Sequence, residues 1–150
     1  MSLSVQYISK KDLPITSKAL RATVQSIENE EQLHIVTFEC FGHQLQMMSL
    51  DLPYKVETNS QVYLSIKPTS IGIGKDIEGR LSYSNQLDAT IQSIKLGILM
   101  CHLELLLCHT QIEVIITKKS FDKLQLEVGD RVVALIKASE VSISKVLQND

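Results

Sequence analysis

The chain has 150 residues, 44% of them apolar and 5% aromatic, and carries 15 basic and 17 acidic side chains for a net charge of −2. That length suits one compact domain or two very small ones, and the apolar fraction is enough for a packed core. Charge is even in both halves, with 7 basic and 7 acidic residues in 1–75 and 8 and 10 in 76–150, which argues against bulk electrostatic attraction to nucleic acid or anionic lipid.

In chain order, residues 1–13 read as an N-terminal extension. Its start, Met1-Ser2-Leu3-Ser4-Val5, lacks the charged and apolar regions of a signal peptide. No apolar run anywhere approaches the ~20 residues of a membrane-spanning helix. A cytoplasmic location is expected.

From there the sequence is written twice. Leu20-Arg21-Ala22-Thr23-Val24-Gln25-Ser26-Ile27 recurs as Leu87-Asp88-Ala89-Thr90-Ile91-Gln92-Ser93-Ile94, at an offset of 67. A second block, residues 62–73, recurs at 132–143 with an offset of 70, so the second copy has gained three residues between the blocks. Such repeats define architecture before any local reading does. They give a first unit at 14–75, a linker at 76–81, a second unit at 82–145 and a tail at 146–150.

Each unit reads as five short strands. Alternation with β-branched residues is clear in 22–27 and 112–117. Polar turns follow at Glu28-Asn29-Glu30-Glu31 and at Lys95-Leu96-Gly97, and hairpins are expected at Phe41-Gly42-His43 and Cys108-His109-Thr110. The extra residues fall around 120–124, a helical turn with Ser120 as its cap. Glu127-Val128-Gly129-Asp130 then turns into final strands at 131–137 and 141–144. The expected fold is all-β, two small barrels or sandwiches in tandem.

Cys40, Cys101 and Cys108 contain no Cys-x-x-Cys, and an odd number argues against a disulfide framework. Cys101-His102 and Cys108-His109 lie about 23 Å apart along an extended strand, too far to share one ion. Only cross-unit assembly of the equivalent hairpins would unite Cys40 or His43 with Cys108 and His109. A thiol packed as a small apolar group is the simpler expectation. No nucleophile–base pairing or paired-carboxylate motif is legible, so no catalysis and no cofactor are expected.

The second unit resembles the molybdate-binding Mop, or TOBE, domain. The resemblance rests on Ser82-Tyr83-Ser84-Asn85-Gln86-Leu87, on Ile115-Ile116-Thr117-Lys118-Lys119-Ser120, and above all on Leu126-Glu127-Val128-Gly129-Asp130-Arg131-Val132 with Ile136-Lys137-Ala138-Ser139-Glu140-Val141. The first unit matches more loosely, at 20–27 and 62–73. Two such units resemble the di-Mop arrangement of small molbindins, and of the C-terminal half of molybdate-responsive regulators. The resemblance implies two tandem five-stranded barrels of the oligonucleotide/oligosaccharide-binding (OB) type, homo-oligomers, and oxyanion binding where units meet.

A tetrahedral dianion such as molybdate or tungstate is held by backbone N–H groups, hydroxyls and one or two cations. The second unit offers Ser82, Ser84, Thr117, Lys118, Lys119, Ser120, Lys137 and Ser139. Of these, the resemblance implies anion contacts for Ser82, Thr117, Ser120 and Lys137. It also shows a departure: the family's first motif reads Ser-Ala-Arg-Asn-Gln, and Ser84 stands where its anion-contacting Arg would be. In the first unit the matching stretch 15–19 lacks the motif, while Lys67 and Thr69 keep the last motif around Pro68, which has no N–H to donate.

Oxyanion binding is therefore the expected function, in a free storage protein or in the sensing part of a regulator or transporter ATPase. The competing expectation is an assembly module that kept the barrels and lost the ligand. Nucleic-acid binding lacks the aromatic platforms it needs, since the seven Phe and Tyr are scattered.

Overall fold

A computed structural model describes residues 5–7, 19–52 and 55–147. Most of the N-terminal extension, the stretch 15–18 and the last three residues of the tail lie outside the described residues.

The strands are β1 (Val5–Tyr7), β2 (Leu20–Glu30), β3 (Leu33–Cys40), β4 (His43–Ser49), β5 (Gln61–Ser65) and β6 (Gly72–Gly74). The second unit supplies β7 (Asn85–Leu96), β8 (Met100–Leu107), β9 (Thr110–Thr117), β10 (Arg131–Ile136) and β11 (Ser142–Leu147). Helix α1 (Lys118–Leu124) occupies the insertion, and short 3-10 turns stand at Pro68–Ser70 and Ala138–Glu140. The helix begins earlier than the sequence suggests. Thr117, not Ser120, is its cap, because its hydroxyl accepts the Ser120 N–H at 3.1 Å.

The repeat extends to individual hydrogen bonds. Both long strands bulge at a glutamine, Gln25 in β2 and Gln92 in β7, where the ladders to β3 and β8 slip by one residue. Gln44 Nε2 donates to Gln25 and Gln111 Nε2 donates to Gln92, each at 2.8 Å. Just before each bulge the chain binds the turn that feeds the fourth strand of the unit. Val24 N–H donates to the Ser60 carbonyl at 2.8 Å, and Ile91 N–H to the Asp130 carbonyl at 3.0 Å. Those turns require a left-handed residue, supplied by Asn59 at φ 75° and Gly129 at φ 94°.

Strand order shows how the units are joined. One sheet runs β11-β5-β2-β3-β4, and the other β6-β10-β7-β8-β9 with β1 added in parallel beside β7. The last strand of each unit thus lies in the other unit's sheet. β6 pairs with β10 through Leu135–Gly72, and β11 pairs with β5 through Ile143–Leu64. The exchange is reciprocal and antiparallel on both sides.

Period-2 alternation sends Leu20, Ala22 and Val24 of β2, and Leu87, Ala89 and Ile91 of β7, into the interior. Phe38, Leu45 and Leu64 complete the first core, and Leu103, Leu105, Ile112 and Ile136 the second. Each fully buried aliphatic side chain of this kind contributes about 1.5–3 kcal/mol. Val141 and Ile143, carried across by the exchange, are buried as well, so apolar burial ties the units together in addition to the ladders.

One buried residue carries a pH dependence. His102 on β8 is 2% exposed, and neither ring nitrogen has a hydrogen-bond partner among the described residues. Burial holds its pKa below the ordinary 6.5, against the opposing pull of Glu113 and Glu104. The unfolded chain therefore takes up this proton first on acidification. Stability is fully present above the ordinary value and is lost as pH falls from there toward the folded-state value. Equilibrium denaturation at pH 7.5 and 5.5 should show less loss in His102→Leu than in the parent; equal losses would rule this role out.

Candidate functional site

The strand exchange decides where the candidate anion contacts lie. Within the second unit, β7 and β10 end their ladder at the Asn85–Ile136 pair. Ser84 and Lys137 directly follow that pair, so they leave the sheet side by side, with Ser82 farther out in the same exposed loop. Lys137 precedes the 3-10 turn that carries Ser139, and its carbonyl accepts the Glu140 N–H at 3.0 Å. Ser82, Ser84, Lys137 and Ser139 thus gather at one end of β7.

Thr117, Lys118 and Ser120 stand at the opposite end. Thr117 pairs with Met100, and Cys101 beside it pairs with Leu96 at the far terminus of β7. Eleven residue steps at ~3.3 Å each make about 36 Å of strand between the two groups. One unit cannot close all of these residues around one anion.

Across the units, the parts come together differently. The turn Ala138–Glu140 packs on β4 of the first unit, and the turn Pro68–Ser70 packs on β9 of the second. The turns touch each other through Ser70 Oγ, which donates to Glu140 Oε2 at 3.0 Å. Two junctions result, each built from the last motif of one unit and the middle-strand end of the other.

The first junction joins Lys137 and Ser139 to β4. A groove of about 340 Å³ is lined there by Met47, Met48, Ser49, Asp51, Ser139 and Ser142, among others. Two of its three serine hydroxyls are already engaged: Ser49 donates to the Asp51 carbonyl, and Ser142 to the Ser65 carbonyl at 3.3 Å. Asp51 lines this groove and Glu140 ends the turn that follows Lys137, so two carboxylates accompany one lysine at this junction. That balance opposes a dianion.

The second junction brings the turn Pro68–Ser70, with Lys67 directly before it, onto β9. At an offset of 67, Asp51 corresponds to Lys118, so the acid of the first junction becomes a base in the second. Thr117 and Ser120 hold each other there, Thr117 Oγ1 donating to Ser120 Oγ at 2.9 Å. Lys118 pairs with Asp122 at 2.9 Å, four residues on. Lys67 and Lys119 have no ion-pair partner among the described residues. An open groove of about 500 Å³ runs beside Lys119, lined by Ile98, Leu99, Thr117, Lys118, Lys119 and Asp122 of the second unit. Along the groove itself, two lysines against one aspartate favour an anion.

Asn85 connects the two units at the first junction. Its side chain is fully buried, its Oδ1 accepts the Gln46 N–H at 2.7 Å, and its Nδ2 donates to the Gln46 carbonyl at 2.9 Å. Gln46 lies on β4, an edge strand whose free side needs such a partner. Sequence reasoning placed Asn85 in a motif without a role, and it missed Ser49 and Asp51, although the repeat offset was enough to align Asp51 with Lys118.

No group of three or more His, Cys, Asp or Glu able to hold a metal exists among the described residues. The two hairpins do meet, with Phe41 stacked on His109 at 4.4 Å between ring centroids. No helix among the described residues is long and apolar enough to cross a membrane.

Residues 81–143 match the family model of the TOBE domain. The second unit is a TOBE domain. No curated protein matches the sequence. Among solved structures, the chain is similar to the cytoplasmic molybdate-binding protein ModG, in a form grown from PEG with molybdate bound. The likeness has a TM-score of 0.77 at 24% identity and covers 84% of this chain and 94% of the other. It establishes the fold as two OB-like five-stranded units in tandem, the TOBE domain forming the second and its structural repeat the first.

Proposed function

We propose that the chain binds a tetrahedral oxyanion of the molybdate and tungstate class, without catalysis, at the junctions between its two units. The observation that carries this reading is the seating of each unit's last-motif turn on the other unit's middle strand. It sets the Pro68–Ser70 turn, which follows Lys67, against β9, whose end carries Thr117 and Lys118. The TOBE match of the second unit and the di-unit fold shared with a molybdate-binding protein support it.

The two junctions are unequal. The Lys67–Thr117 junction is the main site, with Lys67, Lys118 and Lys119 as the charges and Thr69 and Ser120 as hydroxyl donors, Thr117 Oγ1 orienting Ser120. The junction of Ser82, Ser84, Lys137 and Ser139 is the weaker one, because Asp51 lines its groove, Glu140 ends its turn and Ser84 brings no charge. Losing one charge-assisted hydrogen bond weakens binding by about 1.5–3 kcal/mol, or one to two decades.

The reading fits intracellular oxyanion storage or sensing, whether in a free protein or in the regulatory part of a larger one. Self-association has a physical basis in Ile98 and Leu99, 92% and 79% exposed beside the main groove. Calorimetric titration with molybdate, tungstate and sulfate tests the proposal. Saturable binding of the two larger anions is the expected result. No heat and no thermal shift at millimolar anion would leave the assembly-module reading, which the acid at Asp51 already favours for one junction.

A further inference from the structure

The equivalent hairpin turns of the two units meet face to face. The β3–β4 turn at Phe41-Gly42 has φ of 47° and 84°, and the β8–β9 turn at Cys108-His109 has φ of 49° and 59°. Both are two-residue turns of the kind that the right-handed twist of hairpins requires. Asn-Gly fills such a turn without strain, yet the second one holds Cys and His in left-handed conformations. The stack of Phe41 on His109, with rings inclined by 20°, brings the adjoining residues together. Cys40 ends β3 immediately before the first turn, and Cys108 opens the second. The stack thus sets the two thiols close to each other across the unit boundary. Both are buried, at 2% and 4% exposure, and Cys40 also donates to the Arg21 carbonyl at 3.2 Å. Nothing in the oxyanion site uses this pair.

We propose that Cys40 and Cys108 form a reversible dithiol–disulfide site that covalently staples the two units, with a small-molecule disulfide as oxidant. Cys40 is the attacking group, because the neighbouring Cys108 S–H favours its thiolate, whereas burial and the same contact push Cys108 up. The Cys40 thiolate attacks one sulfur of the oxidant, forming a mixed disulfide and releasing one small thiol. The Cys108 sulfur, losing its proton, then attacks the Cys40 sulfur, and the second small thiol leaves. Two protein thiols and one small disulfide become one protein disulfide and two small thiols. Cys101 takes no part: it is fully buried on β8, in the ladder between Leu96 and Ile116, and burial pushes its thiol up to about 12.

The cross-link closes the chain from 40 to 108, a long loop whose constraint stabilises mainly by restricting the unfolded state. The test is to equilibrate the folded chain with excess oxidised glutathione, then count thiols and map disulfides by peptide mass spectrometry. The expected result is one intramolecular bond, Cys40–Cys108, with Cys101 free and the melting temperature raised by roughly 5–15 °C until dithiothreitol is added. Cys101→Ser should behave like the parent, and Cys40→Ser should form no internal bond. Three free thiols, a reaction that stops at glutathione adducts, or a bond that includes Cys101 would overturn the proposal. The map of the unaltered chain is sufficient to decide, so a poorly folding variant does not blunt the test, which involves no oxyanion.

Discussion

Replacing Asn85 with alanine should destabilise the chain by about 2–4 kcal/mol, because it leaves the N–H and carbonyl of Gln46 buried without partners and opens a small cavity. No other described side chain makes a two-way amide contact of this kind between the units. For a chain of this length the midpoint of thermal unfolding should drop by roughly 5–15 °C. Asn85→Asp sharpens the test. An ionised aspartate cannot donate to the Gln46 carbonyl and carries a buried charge, so it should be worse than alanine at neutral pH. Burial raises that carboxyl's pKa, and the protonated form both donates and accepts. The Asn85→Asp variant should therefore recover ground relative to alanine as pH falls toward 5. Denaturant melts of both variants check this; a loss under 1 kcal/mol in each would show that the bidentate contact does not hold the units together.

The second large effect concerns the charge difference between the junctions. Lys67→Gln and Lys119→Gln should each weaken oxyanion binding by roughly tenfold, and the double variant by about a hundredfold. Lys137→Gln should change the tight binding by less than threefold, since Asp51 and Glu140 already oppose an anion at its junction. Converting Asp51 to lysine installs at the first junction the charge that Lys118 supplies at the second. The Asp51→Lys chain should then gain a further binding event per chain, and that event should depend on Lys137. Titration calorimetry of the five variants measures both numbers. A large loss in Lys137→Gln alone would reverse the ranking of the junctions.

Much of the fold was readable in advance because the units repeat. The identities between 20–27 and 87–94 mark the two long strands, and the glutamines inside them prove to be the two bulges. Alternation located the strands, and the left-handed position at Gly129 coincides with the expected turn. The exchange of β6 and β11 left no trace, since a short alternating strand satisfies its buried face in either sheet. Thr117 and Ser120 are both capping residue types three positions apart, and only the end of the β9 ladder shows which one caps.

The candidate site was legible as residue types but not as a place. Ser82, Thr117, Ser120 and Lys137 belong to one unit in the sequence, yet the length of β7 separates them into two junctions. Each is completed by residues of the first unit, among which Asp51 decides the sign of the charge. The repeat offset shows that aspartate opposite Lys118; the packing of the 3-10 turns shows why it matters.

Location is the decisive observation. Crystals of the chain soaked in tungstate, with anomalous scattering recorded at the tungsten edge, should show a heavy atom between the Lys67–Thr69 turn and Thr117–Ser120. Strong density beside Lys137 only, or none at either junction despite millimolar tungstate, would contradict the account.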